Sequence, residues 1–576
     1  MEYKPTVNDK KNKRIHDYPY LDTVIYDDFR AMLKDRSVKN ADMPAVEYMQ
    51  HGERISITYR QYTDDVARMY VYLKKQQMCG IHIGIFFENR YEYLVLYLAA
   101  MFGNVAAPLD RELDPDTLRQ CIEKFDIAVI FCTNKTKETV LRAAENAELP
   151  LRNMDEIFER EVKKIDADRA REQFFRETKD VDKDAFAVLA ATSGTDGAMK
   201  GVMLSQYNII VNVRDTLENT ILNNPTYAFL PMNHTYGMHP GILATLYNGT
   251  TVCLCLEMKY FLRDLKTFDP DFFCAVPMVI EGIYENIRKE ARRQNKEKKL
   301  DRAIKISNFL RKFHIDIRHK LFGDLLCGRL TKVVSGGAPL PSYYVERFDE
   351  LGIKLLNGYG MTECAPTVAV CREFNNVAGS AGIIMKHIDV KIAQDGEILV
   401  KGPNVMLGYY NDEAATASCI SDGYFHTGDL GYTNEKVLFV TGRKKNLIVL
   451  QNGKNVSPEY LEEKLCALGA VQDALVVLRK SRSQRDILTA MIRLNESARQ
   501  IKDIRSQLMQ NIEAVNRTIP AYMRIDDVQL MEQDFEKTSS KKIKRLIRNT
   551  QSSRKEHNTS FRLLKFILLS SLRKSL

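Results

Sequence analysis

Long apolar runs are missing from this chain. No stretch of eighteen apolar residues occurs among its 576, so nothing in it reads as a membrane-spanning helix. The first twenty residues are charged and hold no apolar core, and a secretory signal is not expected. Eleven cysteines are scattered without one Cys-x-x-Cys spacing. Together these absences point to free thiols in a reducing, cytoplasmic setting. No internal repeat or low-complexity linker is present. Zinc-finger, RNP and helix-turn-helix patterns are absent as well, which argues against a nucleic-acid partner.

An excess of positive charge over the whole chain is lacking too, despite a formal net charge of +9. From Lys537 onward there are twelve Lys or Arg against one acid, Glu556. That segment carries +11 and leaves the remainder near −2. The protein reads as a near-neutral body with a basic tail. The last stretch, "FRLLKFILLSSLRKSL" (561–576), is apolar and basic and too short to span a bilayer. It reads either as a peripheral contact with an anionic membrane or as a frayed end.

What is present begins with length. A chain this long needs two or more cores. "GIHIGIFF" and "IAVIFC" read as buried strands, and "YEYLVLYLAAMFG" as a helix ending at Gly103. Strand–helix alternation predicts a parallel α/β sheet. Residues 282–322 are charged and free of proline, and read as surface helices with a solvated face. After Asp429, "KVLFVTGRKKNLIVLQNGKNV" predicts a hairpin with turns at Gly442 and Asn452-Gly453. A helix Pro458–Leu468 and two strands follow, predicting a small α+β domain of roughly 100 residues.

The densest stretch is "ATSGTDGAMKG", Ala191 to Gly201. Three glycines, three hydroxyls and a lysine suit a loop whose backbone amides grip phosphate oxygens. A Walker loop needs a hydroxyl after its lysine, but Lys200 is followed by Gly201. A dinucleotide GxGxxG is also missing. Taken alone, the stretch reads equally as a phosphate cradle or as a polar surface turn.

Six further stretches accompany it in order: "LPMNHTYG" (230–237), "GYGMTE" (358–363), "GPNVMLGY" (402–409), "YFHTGD" (424–429), "TGRKK" (441–445) and "KIKR" (542–545). In order and spacing this set resembles the acyl-adenylate-forming superfamily of acyl-CoA synthetases, adenylation domains and luciferases. The resemblance covers roughly residues 50–548. Two stretches, "ENRYEYLVLYLA…PLDREL" and "GRKKNLIVLQNGKNVSPEYLEE", are most similar to long-chain fatty acid–CoA ligases.

The resemblance implies a fold and a division of labour. A large multi-sheet α/β adenylation domain would span residues 1–442. A small mobile α+β domain would span 443–550, with 551–576 as tail and Lys445 as hinge. Thr192, Ser193, Gly194, Thr195 and Gly197 would hold the β- and γ-phosphates of ATP, with Lys200 as the loop lysine. The family usually has Thr where Asp196 stands and Pro where Met199 stands. Glu363 would hold Mg2+, a hard oxygen ligand for a hard ion. Thr362 would contact the α-phosphate, Tyr359 would stack on adenine, Asp429 would accept from the ribose hydroxyls, and Arg443 would touch ribose or phosphate. His234 would sit near carboxylate and phosphate. Lys542 would be the catalytic lysine of the small domain, although Lys541 replaces the glycine usual before it. The reaction implied is AMP-forming activation of a carboxylic acid followed by transfer to CoA. One alternative is a ligase that loads an acyl, aryl or amino acid onto a free carrier protein. Another is a non-catalytic basic binding protein, for which the +11 segment is the only support.

Overall fold

The computed structural model describes residues 19–145, 149–193, 199–338, 340–373, 376–377, 379–450, 454–480, 486–495, 498–501 and 503–535. Tail residues 551–576 and Lys542 lie outside them.

Apolar strands without alternation bury both faces, and they form parallel sheets covered by helices. The seven-stranded sheet follows that rule. In spatial order its strands are Gly408–Tyr409, Met199–Ser205, Phe186–Ser193, Val105–Pro108, His82–Ile85, Ile127–Cys132 and Leu151–Asn153. The last five run parallel, and the first two are antiparallel additions. The helix Tyr91–Ala100 packs on this sheet, buried at every residue but Glu92. Its sequence expectation holds, with Gly103 at φ 102° turning the chain just beyond.

A second, larger sheet has two halves. Strands Val252–Leu254, Thr226–Ala228, Phe272–Ala275 and Lys332–Ser335 form a parallel half. Thr367–Val370, Gly382–Ile384, Val437–Arg443, Tyr424–Asn434, Glu397–Lys401 and Asp389–Ile392 form an antiparallel half. The strand Lys354–Gly360 belongs to both. Lys354 to Asn357 pair in parallel with Lys332 to Ser335. The next three residues, Gly358 to Gly360, pair antiparallel with Thr367–Val370. The switch falls inside the GYG motif. A side chain at Gly360 would place its Cβ 2.0 Å from the Pro366 carbonyl oxygen, so only glycine permits this crossing.

A separate core lies between Val456 and Ile525. It is built on a three-stranded sheet, Val471–Lys480, Asp486–Leu494 and Asp527–Leu530, with helices Pro458–Cys466 and Ile504–Arg517. The expected hairpin "KVLFVTGRKKNLIVLQNGKNV" is corrected here. Val437–Arg443 pairs with Tyr424–Asn434 of the large sheet, while Ile448–Val449 pairs with Asn455–Val456. Gly442 is no turn. It sits in a strand where Ser457 approaches so closely that a Cβ would lie 2.1 Å from its Oγ. The Asn452-Gly453 turn lies outside the described residues.

The charged segment forms helices Pro277–Arg293, Glu297–Arg311 and Arg318–Phe322. Among the described residues no helix is long and apolar enough to cross a membrane.

Candidate active site

The glycine loop begins and ends on paired strands. Thr192 faces Lys200 and Ser193 faces Met199 across the antiparallel pair, and Thr192 Oγ1 donates to the Lys200 carbonyl at 3.5 Å. Gly194, Thr195 and Gly197 lie outside the described residues. Gly201 follows the lysine for a steric reason. A Cβ there would come within 2.9 Å of the Phe125 ring.

Lys200 leads into a chain of three groups. Its Nζ lies 4.7 Å from the centre of the Tyr409 ring, within cation–π range. Tyr409 OH donates to Glu363 Oε1 at 2.9 Å. Burial, then the Glu363 carboxylate, raise the phenol's pKa, so it stays a donor. Cys419 reports the same local field. Burial first and Glu363 second push its thiol up to about 11, while Lys200 opposes them.

The backbone around Glu363 is fastened from three sides. Met406 N–H donates to the Glu363 carbonyl at 2.8 Å. The buried Asn404 side chain donates to the Cys364 carbonyl at 2.9 Å. The ring of His239 is bonded through Nδ1 to the Ala365 carbonyl at 3.2 Å, and its Nε2 lies 3.0 Å from Tyr97 OH. Desolvation lowers the His239 pKa to about 4. The imidazole is therefore neutral, with Nδ1–H donating to the carbonyl and Nε2 accepting from Tyr97. Ala365 itself stands at φ 55°, an uncommon conformation for a residue with a Cβ.

A second chain starts four residues before Glu363. Tyr359 OH donates to Asp429 Oδ2 at 2.9 Å, and Arg443 Nε donates to Asp429 Oδ1 at 2.9 Å. Asp429 is 5% exposed. Its carboxylate has about four acceptor sites, so two directions stay open for further hydroxyl donors. Tyr359 carries a phenol pKa raised well above its usual value, by burial first and Asp429 next. Its expected stacking role thus coexists with a hydrogen bond that fixes the ring.

His234 stands apart. It caps the short helix Thr235–Met238, and no hydrogen bond among the described residues joins it to either chain. Its loop is braced by Asn89, which donates to the Leu230 carbonyl at 2.8 Å and accepts from Met232 N–H at 3.0 Å. His234 opens to solvent on one side. Even so, the surrounding walls desolvate it and lower its pKa, with Asp110 opposing. Gly237 is required because a Cβ would meet the Pro231 carbonyl oxygen at 2.5 Å. Thr362 opens the turn that carries Glu363. Lys445 lies in a single turn, Lys444–Asn446, directly after Arg443. Its neighbour Lys444 pairs with Asp395 at 2.6 Å and Glu397 at 3.0 Å.

Asp215, Glu218 and His387 converge elsewhere, with ligand atoms within 4.8 Å. Two cations already occupy that ground. Arg214 lies 3.0 Å from His387 Nδ1, and Lys386 lies 3.1 Å from Glu218. The group is an ion-pair network rather than a metal cage. Sequence reasoning passed over Tyr409, Asn404 and His239. Tyr409 and Asn404 lie inside a quoted motif, and His239 lies two residues past another.

These features define a nucleotide-handling α/β enzyme fold, and the comparisons place it. This chain belongs to the AMP-binding enzyme family: that family's model matches residues 33–410, and the AMP-binding enzyme C-terminal domain matches residues 445–552. The long-chain-fatty-acid–CoA ligase FadD15 of Mycobacterium bovis is 29% identical over 433 residues, covering 69% of this chain and 71% of that protein. The rat long-chain-fatty-acid–CoA ligase 5 is 28% identical over 429 residues, covering 66% and 62%. Among solved structures, the o-succinylbenzoate CoA synthetase of Bacillus subtilis with its acyl-adenylate intermediate has a TM-score of 0.69 at 21% identity, covering 92% of this chain and 99% of that one. At that identity the likeness concerns the fold.

Proposed function

We propose that this chain is an AMP-forming fatty acid–CoA ligase, using ATP with Mg2+ and then CoA. A carboxylate oxygen attacks the α-phosphorus of ATP and pyrophosphate leaves. The thiol sulfur of CoA then attacks the acyl carbon, AMP leaves, and the thiol proton passes to solvent. The observation that carries this reading is the pair of chains hung from one strand end: Lys200–Tyr409–Glu363 and Tyr359–Asp429–Arg443. One chain offers a cation and a carboxylate, the other a carboxylate with open acceptor sites beside an aromatic ring. A nucleoside triphosphate needs both. The long-chain ligases among its relatives support a fatty acid as substrate.

In this reading Lys200 neutralises charge on the departing phosphates, together with Thr192, Ser193, Gly194, Thr195 and Gly197 of the loop. Glu363 would hold the magnesium that accompanies ATP, where it screens phosphate charge. Tyr409 keeps one Glu363 oxygen occupied and so orients the other. Thr362 meets the α-phosphate. Asp429 takes the ribose hydroxyls, and Arg443 holds Asp429 in place. His234, whose pKa its surrounding walls lower, donates a ring N–H that orients the incoming carboxylate. Lys542 supplies positive charge to the first step from the small domain, and Lys445 is the hinge on which that domain turns. Removing one such preorganised donor costs about 10²–10³ in rate.

The test is pyrophosphate release on adding ATP and a panel of acids, followed by thioester formation with CoA and with a holo-carrier protein side by side. Release with fatty acids and transfer to CoA is expected. Transfer to the carrier alone would select the alternative acceptor, and release only with aryl or amino acids would overturn the substrate. For tail residues 551–576 we propose a peripheral membrane contact.

A further inference from the structure

The helix Glu297–Arg311 buries one side only. Leu300, Ala303 and Ile304 pack on the main core, and Ser307 is fully buried. The opposite side should be polar in a solvated helix. Instead it carries Ile306, 49% exposed, and Phe309, 58% exposed, and the stripe runs on past the helix end to Phe313, 61% exposed. The two phenyl rings pack edge to face at 5.2 Å. Ile315 and Leu321 continue the apolar surface.

Positive charge flanks this stripe. Residues 296–320 hold nine Lys or Arg against three acids. All three acids are already matched: Glu297 and Asp301 by Arg288, and Asp316 by Arg318. Arg302, Lys305 and Lys312 border the stripe and enter no salt bridge among the described residues. The neighbouring cleft is lined by charged groups, Arg311, Glu346, Arg347 and Asp349 among them.

We propose that this face docks on an anionic lipid surface. Ile306, Phe309 and Phe313 would enter the boundary between headgroups and acyl chains, and Arg302, Lys305 and Lys312 would meet the lipid charges. Exposed aromatic and aliphatic side chains between unmatched cations fit a deformable, negatively charged layer. They fit a rigid protein groove less well, because such a groove would have to supply apolar and acidic contacts in one register. The surface is distinct from tail residues 551–576. Its occupancy needs neither ATP nor an acid substrate, so the test stands or falls separately from the reaction.

The experiment measures sedimentation of the full chain with vesicles of phosphatidylcholine and phosphatidylglycerol, and with phosphatidylcholine alone. Binding to the anionic vesicles is expected, falling steeply with salt. The variant Ile306→Ser/Phe309→Ser/Phe313→Ser should lose at least about tenfold in affinity, since each removes a buried apolar contact. The variant Arg302→Glu/Lys305→Glu/Lys312→Glu should lose still more, because each cation near such a surface is worth roughly fivefold. All six residues sit on a solvent face, so the unfolding midpoint should hold in both variants. Wild-type vesicle binding in both would overturn the proposal and leave the binding to another segment. So would a wild-type self-association that the substitutions abolish while vesicle binding stays the same, since the face would then be an interface between copies.

Discussion

Arg443 and Asp429 face each other directly across an antiparallel strand pair, with the guanidinium Nε 2.9 Å from the carboxylate. Arg443 is also the last residue of its strand. One residue thus ends the large sheet, holds a buried acid in place, and precedes the turn that contains Lys445. Arg443→Ala should leave Asp429 without its cation and weaken ATP binding more than acid binding. A rise of about tenfold in the KM for ATP is expected, in line with about 1.5–3 kcal/mol for a hydrogen bond to a charged group. Steady-state kinetics with each substrate varied in turn checks it.

Tyr409→Phe removes a hydroxyl and leaves the ring under Lys200. The cation–π contact survives, and Glu363 loses its 2.9 Å donor. Turnover should fall by about tenfold with little change in folding. The KM for magnesium should rise along with it. An unchanged magnesium dependence would show that Tyr409 does not orient Glu363.

His239 ties stability to pH. Its pKa is about 4 in the folded chain, against an ordinary value of about 6.5. As pH falls, the unfolded chain takes up the proton first. The neutral ring's contribution is whole above pH 6.5 and is lost as pH drops toward 4. The difference corresponds to about 2 kcal/mol between pH 7 and pH 5. His239→Gln keeps a donor and removes the titration. Denaturant unfolding at the two pH values should show a smaller acid loss in the variant than in wild type. Equal losses would mean that the buried ring does not set the acid limit.

The two half-reactions should separate at the small domain. Lys542→Ala should block acyl-AMP formation and still convert supplied acyl-AMP to thioester. Lys445→Pro should let acyl-AMP form and stall its transfer, because proline fixes the backbone angle that a hinge must change. Rapid-quench assays of each step decide it. Equal slowing of both steps by Lys542→Ala would make that lysine structural, and a defect confined to Lys541→Ala would move the role by one residue.

Much of this site was legible because glycine is demanding. Gly201, Gly237 and Gly360 stand where a Cβ would strike a ring or a carbonyl oxygen, and such positions mark motifs in any reading of the text. The α/β alternation was legible for the same kind of reason, since buried parallel strands must be apolar on both faces. What escaped notice depends on distance along the chain. Tyr409 and Glu363 are 46 residues apart, and nothing local in "MLGYY" says that a phenol reaches a carboxylate. A lone histidine such as His239 carries no periodic signal. The strand Val437–Arg443 pairs outside the expected hairpin, because a strand shows that it wants a partner, not which one. The helix Glu297–Arg311 hid its outer stripe behind abundant charge, since its buried side is apolar as well.

The strand Lys354–Gly360 has a consequence for cooperativity. Its first half completes a parallel sheet and its second half opens an antiparallel one, and Tyr359 and Glu363 hang from the far end. Both lie on the antiparallel side, and the parallel pairing stops just short of them at Asn357. Nucleotide held at this seam would stabilise the two halves as one unit, by about 2.7 kcal/mol at a hundredfold excess over Kd. Ligand would then act as a staple across the strand that the two halves share.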